Sequence, residues 1–497
     1  MADTDSNTVT SATPEEDARQ RASIDRSLRV PVLFFFTSGL LWLLASLVLG
    51  LMASIKFHSP DILGSSQFLN YSRLQPAHLN AFMYGWCFQV GFGAALWIMA
   101  RLCRITLSKV AMLVMAGHFW NLAVSLGVVA ILMGYGQSIQ FLDFPVGVWP
   151  LMFISFSIIA GHIVMMFKAR RDGHVFISQW YILAACFWFP WIYLTANLLI
   201  HHIPSAAVIG TAISGWYAGT LLVLWIVPIG LGATYYLIPK IAGRPIYSYQ
   251  LALAGFWSLA IIGGWVGVQQ YMGGPLPAWM PAVSGAAMIF LVVPMVAIGV
   301  NHYKTLQSNL GLVQYSPTLR FVFFGVIALA VFILLGAGFS LFRFGKIFQF
   351  THAQLGYQMM GMYGFFTMVM FGAIYFIMPR LMQCEWRSGS WIRFHFWFSA
   401  YGTGAMLLCL LIGGLYQGQQ AGQWQEMYAL SIEVSWGFMV GRTIAWVFII
   451  LSNLMFLFHM LLMICRLGRR SGPATMIHPI VHGEQTLKPS SAQAQGA

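Results

Sequence analysis

Long apolar segments run through almost the whole of this 497-residue chain and restrict what it can fold into. A helix needs about 20 apolar residues to cross the hydrocarbon core of a bilayer, and roughly twelve stretches supply them. Because lipid offers the backbone no hydrogen-bond partners, such stretches must be helical. The predicted spans cover residues 32–54, 78–100, 110–133, 146–167, 180–200, 212–238, 251–268, 282–300, 321–342, 352–378, 394–415 and 445–464. We therefore predict an all-α membrane protein with about twelve transmembrane helices.

The composition excludes the main soluble classes of protein. Hydrophobic residues make up 59% of the chain and charged residues only 8%, whereas soluble domains carry about 25% charged residues. The mean hydropathy is +0.74. Six cysteines without a C-x-x-C pair argue against covalent c-type haem, a cysteine-based metal site and a disulfide framework.

The basic residues predict how the chain crosses the membrane. If the N-terminus is cytoplasmic and twelve spans alternate, 21 of the 26 Lys and Arg residues lie on the inner side. The outer side keeps only Lys56, Arg73, Arg343, Lys346 and Arg442. This asymmetry is the positive-inside bias, so the net charge of +13 indicates topology and no nucleic-acid partner. We predict a polar cytoplasmic tail (1–30), a membrane domain (31–470) and a disordered cytoplasmic tail (471–497).

Ionisable residues inside membrane helices are costly and usually functional. All 13 acidic residues fall in predicted tails or loops, so no relay of carboxylates across the bilayer is expected. Two histidines remain as candidates: His78 opens the second span just after Pro76, and His352 opens the tenth. Both are expected near the outer face. A single membrane histidine more often forms an interhelical hydrogen bond than binds a metal, so both interpretations stay open on these residues alone.

Three ordered blocks carry a resemblance to a known family. They are RLQPAHLN at 73–80, YYLIPK with RPIYSY at 235–240 and 244–249, and GMYGFFTMVMFGAIYFIMPRL at 361–381. The chain resembles subunit I of haem-copper oxidases, in the branch of cbb-type cytochrome c oxidases and nitric oxide reductases. The resemblance implies the twelve-helix subunit I arrangement in a bacterial-type inner (plasma) membrane.

The resemblance also implies candidate haem ligands. His78 matches the family's axial ligand of a low-spin haem b, and Met359 falls where the family has the second axial histidine. A thioether is a competent axial ligand, and His/Met ligation raises the haem potential. His352 is a rival second ligand or a partner for a haem propionate. Arg73 and Arg442 are further candidates for neutralising propionates.

Other ligand positions of the family carry different residues here. The high-spin haem histidine falls on Tyr357 and a copper histidine falls on Gly219. The paired copper histidines fall on Gln269 and Gln270, and the cross-linked tyrosine falls on Gly263. Reduction of dioxygen or nitric oxide needs a five-coordinate haem iron beside a second metal held by imidazoles. We therefore predict that the binuclear centre is missing and that no copper is bound.

The leading hypothesis is a degenerate subunit I-like protein with one retained haem b. It would pass electrons to or from a c-type cytochrome or quinone-linked membrane subunits in a respiratory complex. Two alternatives stay open. One is an active terminal cytochrome c oxidase or nitric oxide reductase catalytic subunit, and the other is a haem-free scaffold or assembly subunit.

Overall fold

Twelve helices in the computed structural model are long and apolar enough to cross a membrane. The structure describes residues 13–62, 64–201, 207–423 and 428–469. Within them the spans are α1 (Pro14–His58), α2 (Tyr71–Cys103), α3 (Val110–Met133), α4 (Trp149–Lys168), α5 (Ile177–His201), α6 (Ala207–Ala242), α7 (Tyr249–Tyr271), α8 (Trp279–Asn309), α9 (Pro317–Ser340), α10 (Ala353–Met382), α11 (Gly389–Ala421) and α12 (Ala429–Ile464). The predicted fold class and number of spans are confirmed. The tail predicted at 471–497 lies outside the described residues.

The first helix begins at Pro14, well before the predicted span at residue 32. Its start is a capping box: the Thr13 hydroxyl accepts a hydrogen bond from the Glu16 amide, and the Glu16 carboxylate accepts one from the Thr13 amide. Proline directly after the cap suits the first turn, because its missing N–H is not needed there. Residues 14–30, which were predicted to belong to a polar tail, therefore continue α1 into a helix of 45 residues.

A buried carboxylate inside α1 corrects the expectation that all acidic residues lie in tails or loops. Asp25 is only 6% exposed. It accepts a hydrogen bond of 3.0 Å from Trp97 Nε1 and forms an ion pair of 3.3 Å with Arg101, both on α2. Burying a charge is tolerated when it is paired and hydrogen-bonded. The pair joins α1 to α2 at the end of the bundle where α1 begins.

Three helices form the centre of the bundle. The most apolar windows of α2, α6 and α10 are 89%, 94% and 100% buried, whereas those of the other nine spans are between 39% and 50% buried. Small residues allow the close approach of helices in membranes. A Cβ at Gly85 of α2 would lie 2.5 Å from Trp42, and one at Gly93 would lie 2.6 Å from Phe36, so α1 packs directly on α2.

The same three central helices each contain a π-helical segment. These segments are Ala81–Cys87 in α2, Leu222–Ile226 in α6 and Met360–Thr367 in α10. Wider turns of this kind are rare and frequently occur at functional sites. Each follows a candidate residue within a few positions: His78, Gly219 and Met359. The candidate residues therefore lie where the helical hydrogen bonding of the core changes.

Helix α7 loses its regular form near its end. The α-helical part covers Tyr249–Ile262, and short 3-10 turns follow at Gly263–Trp265 and Val268–Tyr271. Gly267 stands between them with a φ of +110°, a conformation that favours glycine. This irregular end brings the α7 backbone against α6.

Candidate functional site

His78 lies in the core with a fixed ring orientation. Its side chain is almost fully buried, and Nδ1 donates a hydrogen bond of 2.7 Å to the Ser46 carbonyl oxygen on α1. The Trp446 ring packs edge-on at 5.2 Å between centroids. A Cβ at Gly50 would come within 2.9 Å of the imidazole, so glycine makes room for it. With Nδ1 donating to a carbonyl, Nε2 carries the lone pair, as in histidines that bind metals.

Met359 shares a narrow cleft with His78. We name it the His78 cleft; besides these two residues it is lined by Gln75, Leu79, Leu355, Gln358, Met406, Leu410, Arg442 and Trp446. A second narrow cleft also includes Met359 and Met406 and extends to Tyr363 and Thr403. The structure therefore brings together the two residues that the sequence offered as axial ligands, although they are far apart in the chain.

Arg442 places an unpartnered cation beside the same cleft. It is 3% exposed, and its Nε and Nη1 atoms have no hydrogen-bond partner among the described residues. The guanidinium packs over Phe57 at 5.1 Å from the ring centroid. The Trp446 Nε1 and Gln75 Oε1 atoms are also buried without partners in the described part of the chain. A buried unpaired charge is costly, so this cleft is suited to an anionic group that accepts hydrogen bonds.

His352 and Arg73 take different places. The His352 ring lies edge-on to Phe57 at 4.8 Å, on the same aromatic side chain that Arg442 covers. It does not line the His78 cleft. Arg73 donates a hydrogen bond of 3.0 Å to a carbonyl in the last turn of α3 and so caps that helix. Of the two candidate arginines, only Arg442 lies at the cleft.

Most of the positions predicted to have lost metal ligands line one cavity on the other side of α10. We name it the glutamine cavity; among its lining residues are Gly219, Gln269, Gln270, Gln354, Tyr357 and Gln358. The Tyr357 ring stacks on Phe332 with centroids 4.6 Å apart. Gly263 is the exception: it lies at the first 3-10 turn of α7 and faces apolar side chains of α6.

The backbones of α6 and α7 touch at Gly219, the position where the family has a copper-binding histidine according to the resemblance. A Cβ at this position would lie 2.4 Å from the Gly267 Cα atom and 2.8 Å from the Gly267 nitrogen. Conversely, a Cβ at Gly267 would lie 2.1 Å from the Gly215 carbonyl oxygen. Real Cβ atoms do not approach backbone this closely. With this arrangement of α6 and α7, no side chain fits at position 219.

The glutamines of this cavity offer little to a metal. The Gln269 Oε1 atom accepts hydrogen bonds from the Gly267 amide at 2.6 Å and from the Ser284 hydroxyl at 2.7 Å, so its lone pairs are already used. In the described residues no group of three or more His, Cys, Asp and Glu side chains could hold a metal ion. The local chemistry is that of a polar cavity with neutral side chains.

Sequence reasoning missed a buried carboxylate beside the core. Asp143, in the connection between α3 and α4, is 4% exposed, and its Oδ2 accepts a hydrogen bond of 2.6 Å from Asn80 Nδ2. Burial raises the pKa of the Asp143 carboxyl to about 6, although the Asn80 contact partly offsets the rise. The sequence does contain a signal: Asp143 is flanked by the apolar residues Phe141, Leu142 and Phe144. All three are buried in the structure.

The comparison with known families agrees with this arrangement of helices. The family model described as "Cytochrome C and Quinol oxidase polypeptide I" matches residues 30–448. The fold and the match define a haem-copper oxidase subunit I-like membrane protein. The chain belongs to the cytochrome c and quinol oxidase polypeptide I family.

Individual relatives are distant but cover most of the chain. The cbb3-type cytochrome c oxidase subunit CcoN1 of Stutzerimonas stutzeri is 23% identical over 396 residues, which are 77% of this chain and 82% of that protein. The cytochrome c oxidase subunit 1 homolog of Agrobacterium tumefaciens is 23% identical over 398 residues, covering 78% and 72%. A solved heme-copper terminal oxidase dimer shares the fold with a TM-score of 0.68 and 11% identity, over 90% of this chain and 84% of that one.

Proposed function

We propose that this subunit I-like protein carries one low-spin haem b between His78 and Met359, without a dioxygen-reducing haem-copper centre. The observation that carries the proposal is a contrast between two neighbouring sites. The His78 cleft joins two competent iron ligands with an unpartnered buried arginine. The glutamine cavity is closed by backbone at Gly219 and contains no imidazole among its lining residues.

The side chains of the His78 cleft have the donor chemistry of a haem site. The cleft encloses only about 10 Å³ in this structure, so the helices that line it would have to move apart to admit a macrocycle. When bound, the haem would supply a one-electron carrier whose potential depends on its axial ligands. His78 would donate Nε2 to the iron because Nδ1 is held by Ser46, and Met359 would donate its thioether sulfur. The free Nε and Nη1 atoms of Arg442 would bind a propionate. His352 is then better suited to the propionate side than to the iron, since it contacts Phe57 next to Arg442.

The glutamine cavity does not fit a second haem and copper. Tyr357 stacks on an aromatic ring, and Gln269 uses its amide oxygen within the protein. Even a histidine introduced at Gly219 would meet the Gly267 backbone. Tyr357, Gly219, Gln269 and Gln270 therefore support a site that has lost the chemistry of gas reduction and holds water or no ligand.

Electron transfer then needs a partner protein. The chain has no C-x-x-C-H motif of its own, and such a motif is the mark of covalent c-type haem. We infer a c-type cytochrome or a quinone-linked membrane subunit as the partner, on the face of the bundle that includes Arg442 and His352. This face would be the outer one, with both termini in the cytoplasm of a bacterial-type cell.

One purification tests the proposal. The protein is purified in detergent, reduced-minus-oxidised spectra are recorded with and without carbon monoxide, and haem and copper are quantified. We expect one haem b per chain, no copper and no carbon monoxide shift. Two haems with copper and a carbon monoxide shift would instead establish an active oxidase or nitric oxide reductase. A protein without haem would establish a scaffold.

A histidine variant localises the haem. His78→Ala should lose the haem signal, because the cleft then has no imidazole. His118→Ala is the matched control, since His118 lies on the exposed side of α3 against Phe34, and it should keep the full signal. If His78→Ala retains the wild-type spectrum and haem content, His78 is not a ligand.

A further inference from the structure

A large cavity lies at the end of the bundle where α1 begins, away from the two sites described above. Its volume is about 690 Å³, and it is an open cavity bordered by the first turns of α1, the end of α2, the connection before α5 and the end of α6 with the loop that follows. Sites for organic ligands commonly enclose about 300–1,000 Å³. We name this the basic cavity.

Cations outnumber anions in the lining of the basic cavity. Its basic residues are Arg21, Arg101, Arg104, Lys240 and Arg244, and its acidic residues are Asp17 and Asp172. Two of the arginines are neutralised: Arg21 pairs with Asp17, and Arg101 pairs with Asp25. The side chains of Arg104, Lys240 and Arg244 form no hydrogen bond or ion pair with the described residues. Three cations therefore remain available to a ligand.

The remaining acidic residue of the lining, Asp172, offsets only one of these three charges. The Asp172 carboxylate accepts a hydrogen bond of 3.1 Å from the backbone amide of His174, two residues further along the same connection. This is a local turn contact, which stabilises the loop. The cavity thus keeps a positive balance after its internal ion pairs are formed, and an anion is the ligand that this balance favours.

Apolar and aromatic side chains form the rest of the wall. They include Phe176, Tyr235, Tyr236, Pro239 and Ile246. Several belong to the block at 235–249 that carried part of the family resemblance, and the haem proposal gives that block no task. The combination of free cations with an apolar wall matches a ligand that has a charged group on an organic body.

We propose that the basic cavity binds an organic phosphate. Phosphate offers several acceptor oxygens and up to two charges, which arginine and lysine side chains bind through charge-assisted hydrogen bonds. Basic pockets between transmembrane helices on the cytoplasmic side are known to take phospholipid headgroups. The same phosphate chemistry is offered by the headgroup of an acidic lipid and by a soluble nucleotide. This proposal does not depend on whether the protein holds haem.

Binding is measured with two probes that differ in source. The full-length protein in detergent is titrated with dioctanoyl-phosphatidylglycerol and with ATP, and native mass spectrometry records the bound fraction. Dioctanoyl-phosphatidylcholine serves as the zwitterionic comparison. The test variant is the double substitution Lys240→Gln, Arg244→Gln, which removes two exposed charges without breaking a hydrogen bond. The matched control is Lys168→Gln, Lys304→Gln, which removes two exposed charges outside the cavity.

We expect saturable binding of at least one phosphate probe, weakened about tenfold or more in the test variant and unchanged in the control. Saturation by the lipid alone identifies a headgroup site, and saturation by ATP alone identifies a soluble organic phosphate. The proposal is overturned if neither probe saturates, if phosphatidylcholine binds as tightly, or if both double variants weaken binding equally. Thermal unfolding of each variant verifies that the fold is retained.

Discussion

At the scale of single residues, the proposed haem site depends on one imidazole and one thioether. Met359 lines the same cleft as His78. According to the resemblance, the family has its second axial histidine at the position of Met359. A neutral sulfur ligand favours the reduced iron, so His/Met ligation gives a higher potential than two histidines. A haem held in this way accepts electrons readily and has no open face for a gas. The proposed site is therefore suited to relaying electrons.

Substitution of Met359 tests the ligand directly. Met359→Leu removes the sulfur with little change in volume, so we expect the low-spin haem spectrum to be lost or shifted. Met359→His should restore a low-spin spectrum with a midpoint potential lower by on the order of 0.1 V, within the roughly 0.8 V range that axial ligands cover.

Met406→Leu is the control for this series. Met406 lines the same cleft and is 2% exposed, so its loss changes packing in the same region without removing the proposed ligand. The spectrum and potential should stay as in the wild type. An unchanged spectrum in Met359→Leu, or an equal change in both leucine variants, would remove Met359 from the site.

Asp143 gives a prediction about pH. Its pKa is about 6 in the folded protein and the ordinary value is 3.8, because burial disfavours the charged form. The folded state thus holds its proton to higher pH, so the contribution of Asp143 to stability is largest below pH 3.8 and is lost between pH 3.8 and about 6. The full difference amounts to ~3 kcal/mol. In Asp143→Asn, the free energy of unfolding should not fall in this way as the pH rises.

Thermal unfolding between pH 4 and 7 measures the effect as the difference between wild type and variant. Asp61→Asn removes an exposed carboxylate in another loop and serves as the control. It should follow the wild-type curve. A pH dependence in Asp143→Asn that is identical to the wild type would show that the buried carboxyl does not set it.

At the scale of elements, the contact between α6 and the irregular end of α7 shapes the glutamine cavity. Gly215 and Gly219 lie one helical turn apart on α6, and both face the α7 turn around Gly267. Glycines at these positions allow the two backbones to touch. The contact is made by backbone atoms and needs no polar side chain.

Alanine at Gly219 should therefore be costly. Its Cβ would be 2.4 Å from backbone that cannot rotate away, and we expect a loss of about 3 kcal/mol, at the upper end of overpacking costs. Gly210→Ala is the control on the same helix, because a Cβ there has no neighbour within 4 Å. It should be neutral or slightly stabilising, since alanine is the better helix former. Thermal unfolding in detergent compares the two; equal midpoints would contradict the close contact.

Elements differed in how far the sequence predicted them. Apolar runs of about 20 residues were sufficient to locate all twelve spans, because lipid demands them. The early start of α1 was missed since residues 14–30 are polar, and the capping box at Thr13 and Glu16 outweighed that signal. The π-helical segments and the α7 turn depend on packing between helices that are distant in the chain. The hydrophobic pattern of the local sequence therefore does not predict them.

At the scale of the whole molecule, the three central helices hold His78, Gly219 and Met359, and the nine surrounding spans expose apolar surface. Other candidate residues, Gln269, Gln270 and Arg442, come from α7 and α12. The family resemblance predicted two groups of residues, and each group lines one cleft of the structure. These groups are His78 with Met359, and Gly219 with Gln269, Gln270 and Tyr357. The roles of Arg73 and Arg442 could not be separated from sequence. Which of two arginines turns inward depends on the tilt and rotation of α2 and α12.

The orientation in the membrane has its own test, because the positive-inside bias predicts that the end of α12 is cytoplasmic. Cys465 is exposed there, whereas the other five cysteines are buried or partly buried. A membrane-impermeant maleimide should label Cys465 only after intact cells are permeabilised. Tyr135→Cys, at a residue 70% exposed on the opposite face, should add labelling in intact cells. Labelling of Cys465 in unbroken cells would reverse the predicted topology.

The touching backbones of Gly219 and Gly267 bear on how this protein could change over time. A single mutation to histidine at position 219 would introduce an imidazole into space already held by main chain. Placing a copper ligand there would require the turn of α7 to be rebuilt in the same step, together with new donors at Gln269 and Gln270. Under the proposed function, a histidine at position 219 is therefore out of reach of a single substitution as long as the α7 backbone keeps this path.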